Sequence, residues 1–317
     1  MSGIRIVQVA DPHLGAGVEH HHDNWLRIAE WLVRERPDLL VANGDLVRSD
    51  PDAEADHAFA HAELAAPGVA LRCLPGNHDI GDKPVDWAPV HQVEDAYVAL
   101  YERHFGRHYH AFDAEECRFI VIDAQIINSG LACEAEQRDW LEREFAAAAG
   151  RRTFVAIHYP PYVSTRDEPS SYDNIDEPGR TWLLGLLERH RPEAMFCGHV
   201  HNFWYNLHAA TECYILPSTA FVRQDYSELA RIGPGDEGGR NDAPKLGWYL
   251  VDVHERGHVA HWIRTWGDSV PVQGGAPAPA ARLGPVHTKT NPRASIGIDL
   301  RHPLAEMVDI PATGGIE

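Results

Sequence analysis

Short clusters of Asp, Asn and His residues recur along the first two thirds of the sequence, and each comes at the end of an apolar run typical of a strand. The clusters are, in chain order, Asp11-Pro12-His13, Gly44-Asp45, Gly76-Asn77-His78-Asp79, His158 and Gly198-His199-Val200-His201. Carboxylate, amide and imidazole groups are ligands of Mn, Fe, Co and Zn ions, and the clusters contain no thiolate. They therefore predict a metal site with enough ligands for a pair of ions.

The spacing inside the clusters supports this interpretation. Residues two apart in extended backbone point to the same side of the chain, so Asp11 with His13 and His199 with His201 are each suited to bind one ion together. A glycine precedes three of the clusters and allows a tight turn at the end of the strand. Each pair alone is a weak signal, whereas five clusters at five predicted strand ends indicate one shared site.

The elements that must position these residues follow an alternating pattern. Apolar runs and helical spacing predict strand, helix, strand, helix and strand over residues 4–10, 24–36, 38–42, 53–66 and 69–74. Such units form parallel crossovers, whose strands end at one edge of a sheet. Further helices are predicted at residues 93–104, 134–149 and 180–189, and further strands at 109–112, 118–123, 153–158, 194–197, 203–207, 213–216, 246–253 and 258–264.

Composition excludes several classes of protein. The 317 residues include 28 Lys and Arg against 47 Asp and Glu, a net charge of −19, and 44% are hydrophobic. The hydrophobic fraction excludes disorder as the main state, and the acidity argues against binding of duplex nucleic acid. No targeting signal and no apolar run of membrane-spanning length is visible, so we expect a cytoplasmic protein without a membrane partner. Five cysteines without a Cys-x-x-Cys pair are expected to be reduced core residues.

The order and spacing of the clusters resemble the signature of the calcineurin-like metallophosphoesterase superfamily, and are similar to bacterial class III cyclic-nucleotide phosphodiesterases and related phosphatases. The resemblance implies an α/β fold, a four-layer αββα sandwich of two mixed β-sheets flanked by helices. We expect residues 1–270 to form the catalytic domain. Residues 271–317 are expected to be a Pro/Ala/Gly-rich linker and a C-terminal extension that docks on the body or on a neighbouring subunit, which would give a homodimer.

The resemblance also implies roles for individual residues. Two divalent or trivalent ions, Mn, Fe or Zn, would be bound, and a hydroxide bridging them would attack phosphorus in line. The first ion would be held by Asp11, His13 and His201, the second by Asn77, His158 and His199, and Asp45 would bridge both. His78 would be the leaving-group acid or a stabiliser of the transition state, with Asp79 orienting its ring. The alternative is that His78 has a structural role and supports the metal ligands from outside.

The implied function is hydrolysis of a phosphate ester, in a small molecule or a phosphorylated substrate. Phosphodiesters are slightly favoured over phosphomonoesters or phosphoproteins, and a non-catalytic metal-binding scaffold of the same fold is a third hypothesis. Relatives often carry a second acidic residue shortly after the bridging aspartate, whereas Leu46, Val47 and Arg48 follow Asp45 here. This departure bears on the assignment to a subfamily and leaves the predicted metal site unaffected.

Two further motifs invite other interpretations. Residues 233–238 fit the pattern G-x-G-x-x-G, but they follow no clear strand and contain two acids, so they are predicted to be a flexible loop. The tract His20-His21-His22 resembles a metal-binding sequence, yet it is short and precedes a predicted helix. We expect it to be a solvated segment at the start of that helix.

Overall fold

A computed structural model of the chain describes residues 3–17, 19–48, 50–84, 91–223 and 245–266. Eleven strands lie within the described residues: β1 Ile4–Val9, β2 Leu39–Asn43, β3 Leu71–Leu74, β4 His110–Ala114, β5 Cys117–Ile122, β6 Thr153–Ile157, β7 Ala194–Cys197, β8 Trp204–His208, β9 Thr211–Ile215, β10 Gly247–His254 and β11 Gly257–Arg264. The helices described are α1 Glu19–Glu35, α2 Glu54–Ala65, α3 Asn77–Ile80, α4 Asp95–Phe105, α5 Ala132–Ala147 and α6 Gly179–His190. They match the alternation that the sequence predicts.

The strands form two mixed sheets. In the first sheet, of order β11-β10-β1-β2-β3, the strands β1, β2 and β3 are parallel and β10 pairs with β1 in the antiparallel sense. In the second, of order β4-β5-β6-β7-β9-β8, the central strands β5, β6, β7 and β9 are parallel, and antiparallel strands lie at both edges. Because β1, β2, β3, β6 and β7 all belong to the parallel parts, their carboxyl ends can supply one site.

Apolar side chains fill three layers between and outside the sheets. The middle layer joins the facing surfaces of the two sheets, and the rings of Phe119 and Phe154 stack there at 4.9 Å. Helices α1, α2 and α4 cover the outer face of the first sheet through residues such as Trp25 and Tyr101. Helices α5 and α6 cover the second sheet through Leu141 and Leu187 among others. The four-layer αββα sandwich is therefore confirmed.

Two details near the site differ from the sequence prediction. Helix α1 begins at Glu19, so the tract His20-His21-His22 lies inside its first turn, and His21 is buried with 2% of its surface exposed. The prediction of a solvated tract was therefore wrong for His21, whose Nδ1 is 2.9 Å from the carbonyl oxygen of His13. The one-turn helix α3 was not predicted, because four residues are too few to show helical periodicity.

Several expectations concern residues beyond this description. The motif at 233–238 and the tail at 271–317 lie outside the described residues, so the domain boundary at residue 270 and the docking of the tail stay predictions. Among the described helices, none combines the length and the apolar character needed to cross a bilayer.

Candidate metal centre

All seven predicted ligands lie at the carboxyl ends of five strands, where the two sheets meet. Each is at least 95% buried; the seven are Asp11, His13, Asp45, Asn77, His158, His199 and His201. They follow β1, β2, β3, β6 and β7 in turn. The convergence that the sequence predicts is thus present in the structure.

The backbone at the site is held in an uncommon conformation. Five of the residues have positive φ angles, which non-glycine residues rarely adopt, namely Asp11 (52°), His13 (43°), Asp45 (51°), His199 (70°) and His201 (60°). Hydrogen bonds between the clusters keep them there. The N–H of His199 donates to the Asp11 carboxylate over 2.9 Å, and the N–H of His13 donates to the carbonyl of Asp45 over 2.9 Å. Strain of this kind concentrates at functional sites.

The ligand atoms form two groups that share Asp45. In the first, oxygens of Asp11 and Asp45 and nitrogens of His13 and His201 all lie within 4.8 Å of one another. In the second, Asp45, His158 and His199 do the same. The Asn77 Oδ1 atom adds to the second group, at 3.3 Å from His158 Nε2 and 3.0 Å from His199 Nδ1. Asp45 therefore lies where it could contact ions in both groups.

The hydrogen bonds of the imidazoles indicate which nitrogen carries a lone pair. His13 Nδ1 is 3.2 Å from the carbonyl of Arg48, and His201 Nδ1 is 3.0 Å from the carbonyl of Phe221. Donation to these carbonyls leaves the Nε2 atom of each neutral ring as an acceptor. The two Nε2 atoms are 3.1 Å apart, so their lone pairs face each other, an arrangement that a shared cation would satisfy.

The second group also favours a cation, through the contact of His158 with Asp45. His158 Nδ1 is 2.8 Å from the carbonyl of Asn43, which leaves His158 Nε2 facing Asp45 Oδ1 at 3.3 Å. Burial alone would lower the pKa of His158, but the charge and hydrogen bond of Asp45 raise it to about 9. The site therefore attracts a cation at the point where His158 Nε2, Asp45 and Asn77 meet, and a metal ion is such a cation.

The remaining electrostatics agree with a cation site. Burial raises the pKa of Asp45, but the imidazoles of His158 and His78 outweigh that effect and hold the pKa well below its ordinary range. Burial, followed by the neighbouring imidazoles, lowers the pKa values of His13 and His199 well below their ordinary value. These groups therefore favour the ionised carboxylate and the neutral imidazole, the forms that bind metals.

The loop of residues 171–176 contacts the second group, and this was not predicted. The Tyr172 hydroxyl accepts a hydrogen bond from Asn77 Nδ2 over 3.1 Å, and the Tyr172 carbonyl is 3.0 Å from His199 Nε2. The buried Lys83 ammonium holds this loop by donating to the carbonyls of Ser171 and Asn174 and to the Asp176 carboxylate. No motif marks Tyr172 or Lys83, because their roles depend on contacts across 88 to 95 positions of sequence.

His78 lies beside the first group. Its ring centroid is 4.6 Å from that of His13, and its Nδ1 atom is buried without a partner among the described residues. The backbone N–H of His78 donates to Asp45 Oδ1 over 3.0 Å. The side chain is only half-buried, and its environment differs from that of the seven ligands. His78 is thus close to the candidate metal centre without being part of either ligand group.

The structure corrects the role predicted for Asp79. Its carboxylate accepts hydrogen bonds from the backbone N–H groups of Leu46, Val47 and Gly76, at 2.7 to 3.2 Å, rather than from the His78 ring. Asp79 is the third residue of α3, so its side chain turns back toward the start of that helix. Burial, followed by the charge of Asp45, raises the pKa of Asp79 to about 6. Asp79 therefore ties the turn after Asp45 to the turn before Asn77.

Comparisons with known proteins agree with this geometry. The family model of the calcineurin-like phosphoesterases matches residues 4–203. The chain is 29% identical over 214 residues to the 3′,5′-cyclic adenosine monophosphate phosphodiesterase CpdA of Escherichia coli K12, covering 63% of this chain and 70% of CpdA. It is 24% identical over 223 residues to the serine/threonine-protein phosphatase CPPED1 of Bos taurus, covering 62% of this chain and 68% of CPPED1.

A solved structure supports the fold independently. A dimetal phosphatase from Danio rerio superimposes with a TM-score of 0.56 at 13% identity, covering 84% of this chain and 97% of that protein. The matched family consists of dinuclear-metal-dependent phosphoester hydrolases, with phosphodiesterases and phosphatases among its named members. Because the family model spans more than half of the sequence and includes all seven candidate ligands, this chain belongs to the calcineurin-like phosphoesterase family.

Proposed function

We propose that the chain hydrolyses phosphodiesters at a dinuclear metal centre. Two ions, Mn, Fe or Zn, would be held by the two ligand groups, with Asp45 shared between them. The proposal rests on one observation above all: two buried groups of ligand atoms share a single carboxylate, that of Asp45. Bound ions supply Lewis acidity toward phosphoryl oxygens and lower the pKa of a bound water.

The residues of the chain prepare the site for that chemistry. Backbone carbonyls of Arg48, Phe221 and Asn43 fix three imidazoles so that Nε2 points inward. Asp11 and Asp45 contribute two negative charges, so the site with two divalent ions is positive and attracts a phosphate ester despite the net charge of −19. Asp79 keeps the two ligand-bearing turns in register by accepting their N–H groups.

We assign to His78 the contact with the reacting phosphate. Its side chain is half-buried, and its ring centroid is 4.6 Å from that of His13 in the first ligand group. An imidazole there can donate a proton to the leaving oxygen or stabilise charge in the transition state. Its position outside both ligand groups supports a role in turnover rather than in metal binding.

One of the two relatives supports the preference for diesters, and the other supports the alternative. CpdA is named as a cyclic AMP phosphodiesterase, whereas CPPED1 is named as a serine/threonine-protein phosphatase. The similarity to CPPED1 favours the second candidate, a phosphomonoesterase or phosphoprotein phosphatase. The cytoplasmic location and a homodimer through the tail stay predictions from the sequence.

The test is the ratio of kcat/KM for bis(p-nitrophenyl) phosphate to that for p-nitrophenyl phosphate, measured on Mn-reconstituted protein with Asp45→Asn as control. We expect diester preference in the wild type and loss of both metals and activity in Asp45→Asn. A monoester preference would support the second candidate. Two bound metals with no hydrolysis of either ester would support a scaffold, and full metal content in Asp45→Asn would contradict the shared role of Asp45.

A further inference from the structure

A cavity of about 350 Å³ lies away from the metal centre, where the edge strands of the two sheets come together. Its wall includes Leu71–Cys73 of β3, the start of β4, and residues at the ends of α2 and α4. Asn77 follows the carboxyl end of β3, whereas the cavity contacts the strand before that end. The cavity is therefore distinct from the candidate metal centre.

The polar side chains that line this cavity are basic. They are Arg72, Arg107, His61 and His110, and no carboxylate is among the lining residues. Each arginine is placed by an aromatic ring: the Arg72 guanidinium lies 5.1 Å from the Phe112 ring centroid, and that of Arg107 lies 4.3 Å from Tyr109. Within the described part of the chain, neither guanidinium forms an ion pair with a carboxylate.

His110 also lines this cavity. Its Nδ1 atom is 3.1 Å from the carbonyl of Arg107, and its Nε2 atom is buried without a hydrogen-bond partner among the described residues. Burial lowers the pKa of His110; the hydrogen bond to the Arg107 carbonyl opposes this effect, and the charges of Arg72 and Arg107 add to it. His110 Nε2 and the two guanidinium groups thus line the same cavity, where an anion could accept hydrogen bonds from them.

This arrangement differs from that of many arginines elsewhere in the chain. Other arginines on the second sheet and its helices pair closely with carboxylates, for example Arg118 with Glu144, Arg152 with Glu193 and Arg189 with Glu142, each at 2.6 Å. In a chain with 47 acidic residues against 28 basic ones, this concave surface gathers two guanidinium groups that have no carboxylate partner among the described residues. A ligand that supplies the missing negative charge accounts for it.

We propose that the cavity between β3 and β4 binds a small organic molecule that carries a dianionic phosphate group. Guanidinium forks match tetrahedral oxyanions with paired hydrogen bonds, and two arginines balance the two charges of a phosphate monoester. The volume is within the range of small-molecule sites. Phe105 supplies an apolar wall for the organic part of the ligand. The site is independent of the proposed hydrolysis and needs no metal.

The test uses phenylphosphonate, a dianion that cannot be hydrolysed as an ester, in calorimetric titrations of the Mn-loaded full chain. We expect two binding events in the wild type, one at the metal centre and one at the cavity. Arg72→Gln/Arg107→Gln is expected to weaken only the second event, by at least tenfold. Arg166→Gln/Arg189→Gln removes two charges from exposed ion pairs elsewhere and is expected to keep both events.

The proposal is overturned if the wild type shows a single event that disappears in Asp45→Asn, or if both double variants lose the second event equally. The first result would leave only the metal centre, and the second would indicate a general effect of charge. Because both arginines are exposed, we expect unchanged thermal unfolding of Arg72→Gln/Arg107→Gln. Turnover of bis(p-nitrophenyl) phosphate reports separately on the proposed function, and this variant is expected to retain it.

Discussion

The Tyr172 hydroxyl accepts a hydrogen bond from Asn77 Nδ2 over 3.1 Å, and this contact determines which amide atom of Asn77 faces the metal site. With Nδ2 occupied, Oδ1 points toward His158 and His199, at 3.3 and 3.0 Å. An amide rotated by half a turn would present N–H groups to a cation. Tyr172 therefore acts as a positioning residue for the second ligand group.

We expect Tyr172→Phe to bind the second metal about 10 to 100 times more weakly, while the first stays bound, because outer contacts that orient ligands contribute about that much to affinity. Metal content after dialysis against graded metal concentrations measures this. Tyr162→Phe is the matched control, since that hydroxyl contacts His208 and none of the ligands. Equal metal content in the two variants would show that Asn77 needs no such support.

His78→Ala separates turnover from metal binding. We expect both metals to remain bound, because His78 belongs to neither ligand group, while kcat falls about 10²- to 10⁴-fold through loss of the proton donor. His91→Ala, on an exposed side chain, serves as the control. An unchanged kcat would remove His78 from the mechanism, and loss of a metal would make it a structural support of the centre.

The strand ends and the seven candidate ligands could be predicted because each is a local signal: an apolar run, a turn glycine and a polar residue at fixed spacing. Tyr172 and Lys83 could not, since neither lies in a periodic segment and their hydrogen bonds join positions 88 to 95 residues apart. The role of Asp79 was mistaken for a related reason. Its neighbour in sequence is His78, but its hydrogen bonds go to Leu46 and Val47, which only the packing of two turns brings near.

The glycine before Asn77 is required by close packing rather than by its backbone angles. A Cβ atom on Gly76 would lie 2.2 Å from both the backbone nitrogen and Oδ1 of Asp45, and 2.8 Å from His158 Nε2. Its φ of −108° suits any residue, so the conflict is purely steric. The turns that carry Asp45 and Asn77 can approach only because no side chain separates them.

We therefore expect Gly76→Ala to lose both metals and about 1 to 3 kcal/mol of unfolding free energy, the usual effect of overpacking. Gly185→Ala in α6 is the control, because its new methyl group would meet its nearest atom, on Arg189, at 3.7 Å. That variant is expected to gain about 0.5 to 1 kcal/mol. Metal analysis and chemical unfolding check both expectations, and full metal content in Gly76→Ala would contradict the packing argument.

Glu193 links the two sheets away from the site. Its carboxylate accepts two hydrogen bonds from Arg152 at 2.6 Å and lies 2.7 Å from His258 Nδ1 on β11. Burial raises the pKa of Glu193, but these partners outweigh that effect and lower it from 4.5 to about 2. A carboxylate with a lower pKa in the folded chain stabilises the fold above its unfolded value, and this contribution disappears as the pH falls from about 4.5 to about 2.

We expect Glu193→Gln to lose about 2 kcal/mol of unfolding free energy at pH 7, because hydrogen bonds to charged groups contribute on that order. The difference from wild type should shrink as the pH falls from about 4.5 to about 2, since Glu193 of the unfolded wild type takes up a proton there before Glu193 of the folded chain does. Urea unfolding at a series of pH values measures it. Glu142→Gln breaks an exposed pair with Arg189 and is expected to change stability by less than about 1 kcal/mol at any pH. A difference for Glu193→Gln that stays constant down to pH 2 would show that packing, rather than the charge of Glu193, holds the two sheets together at this point.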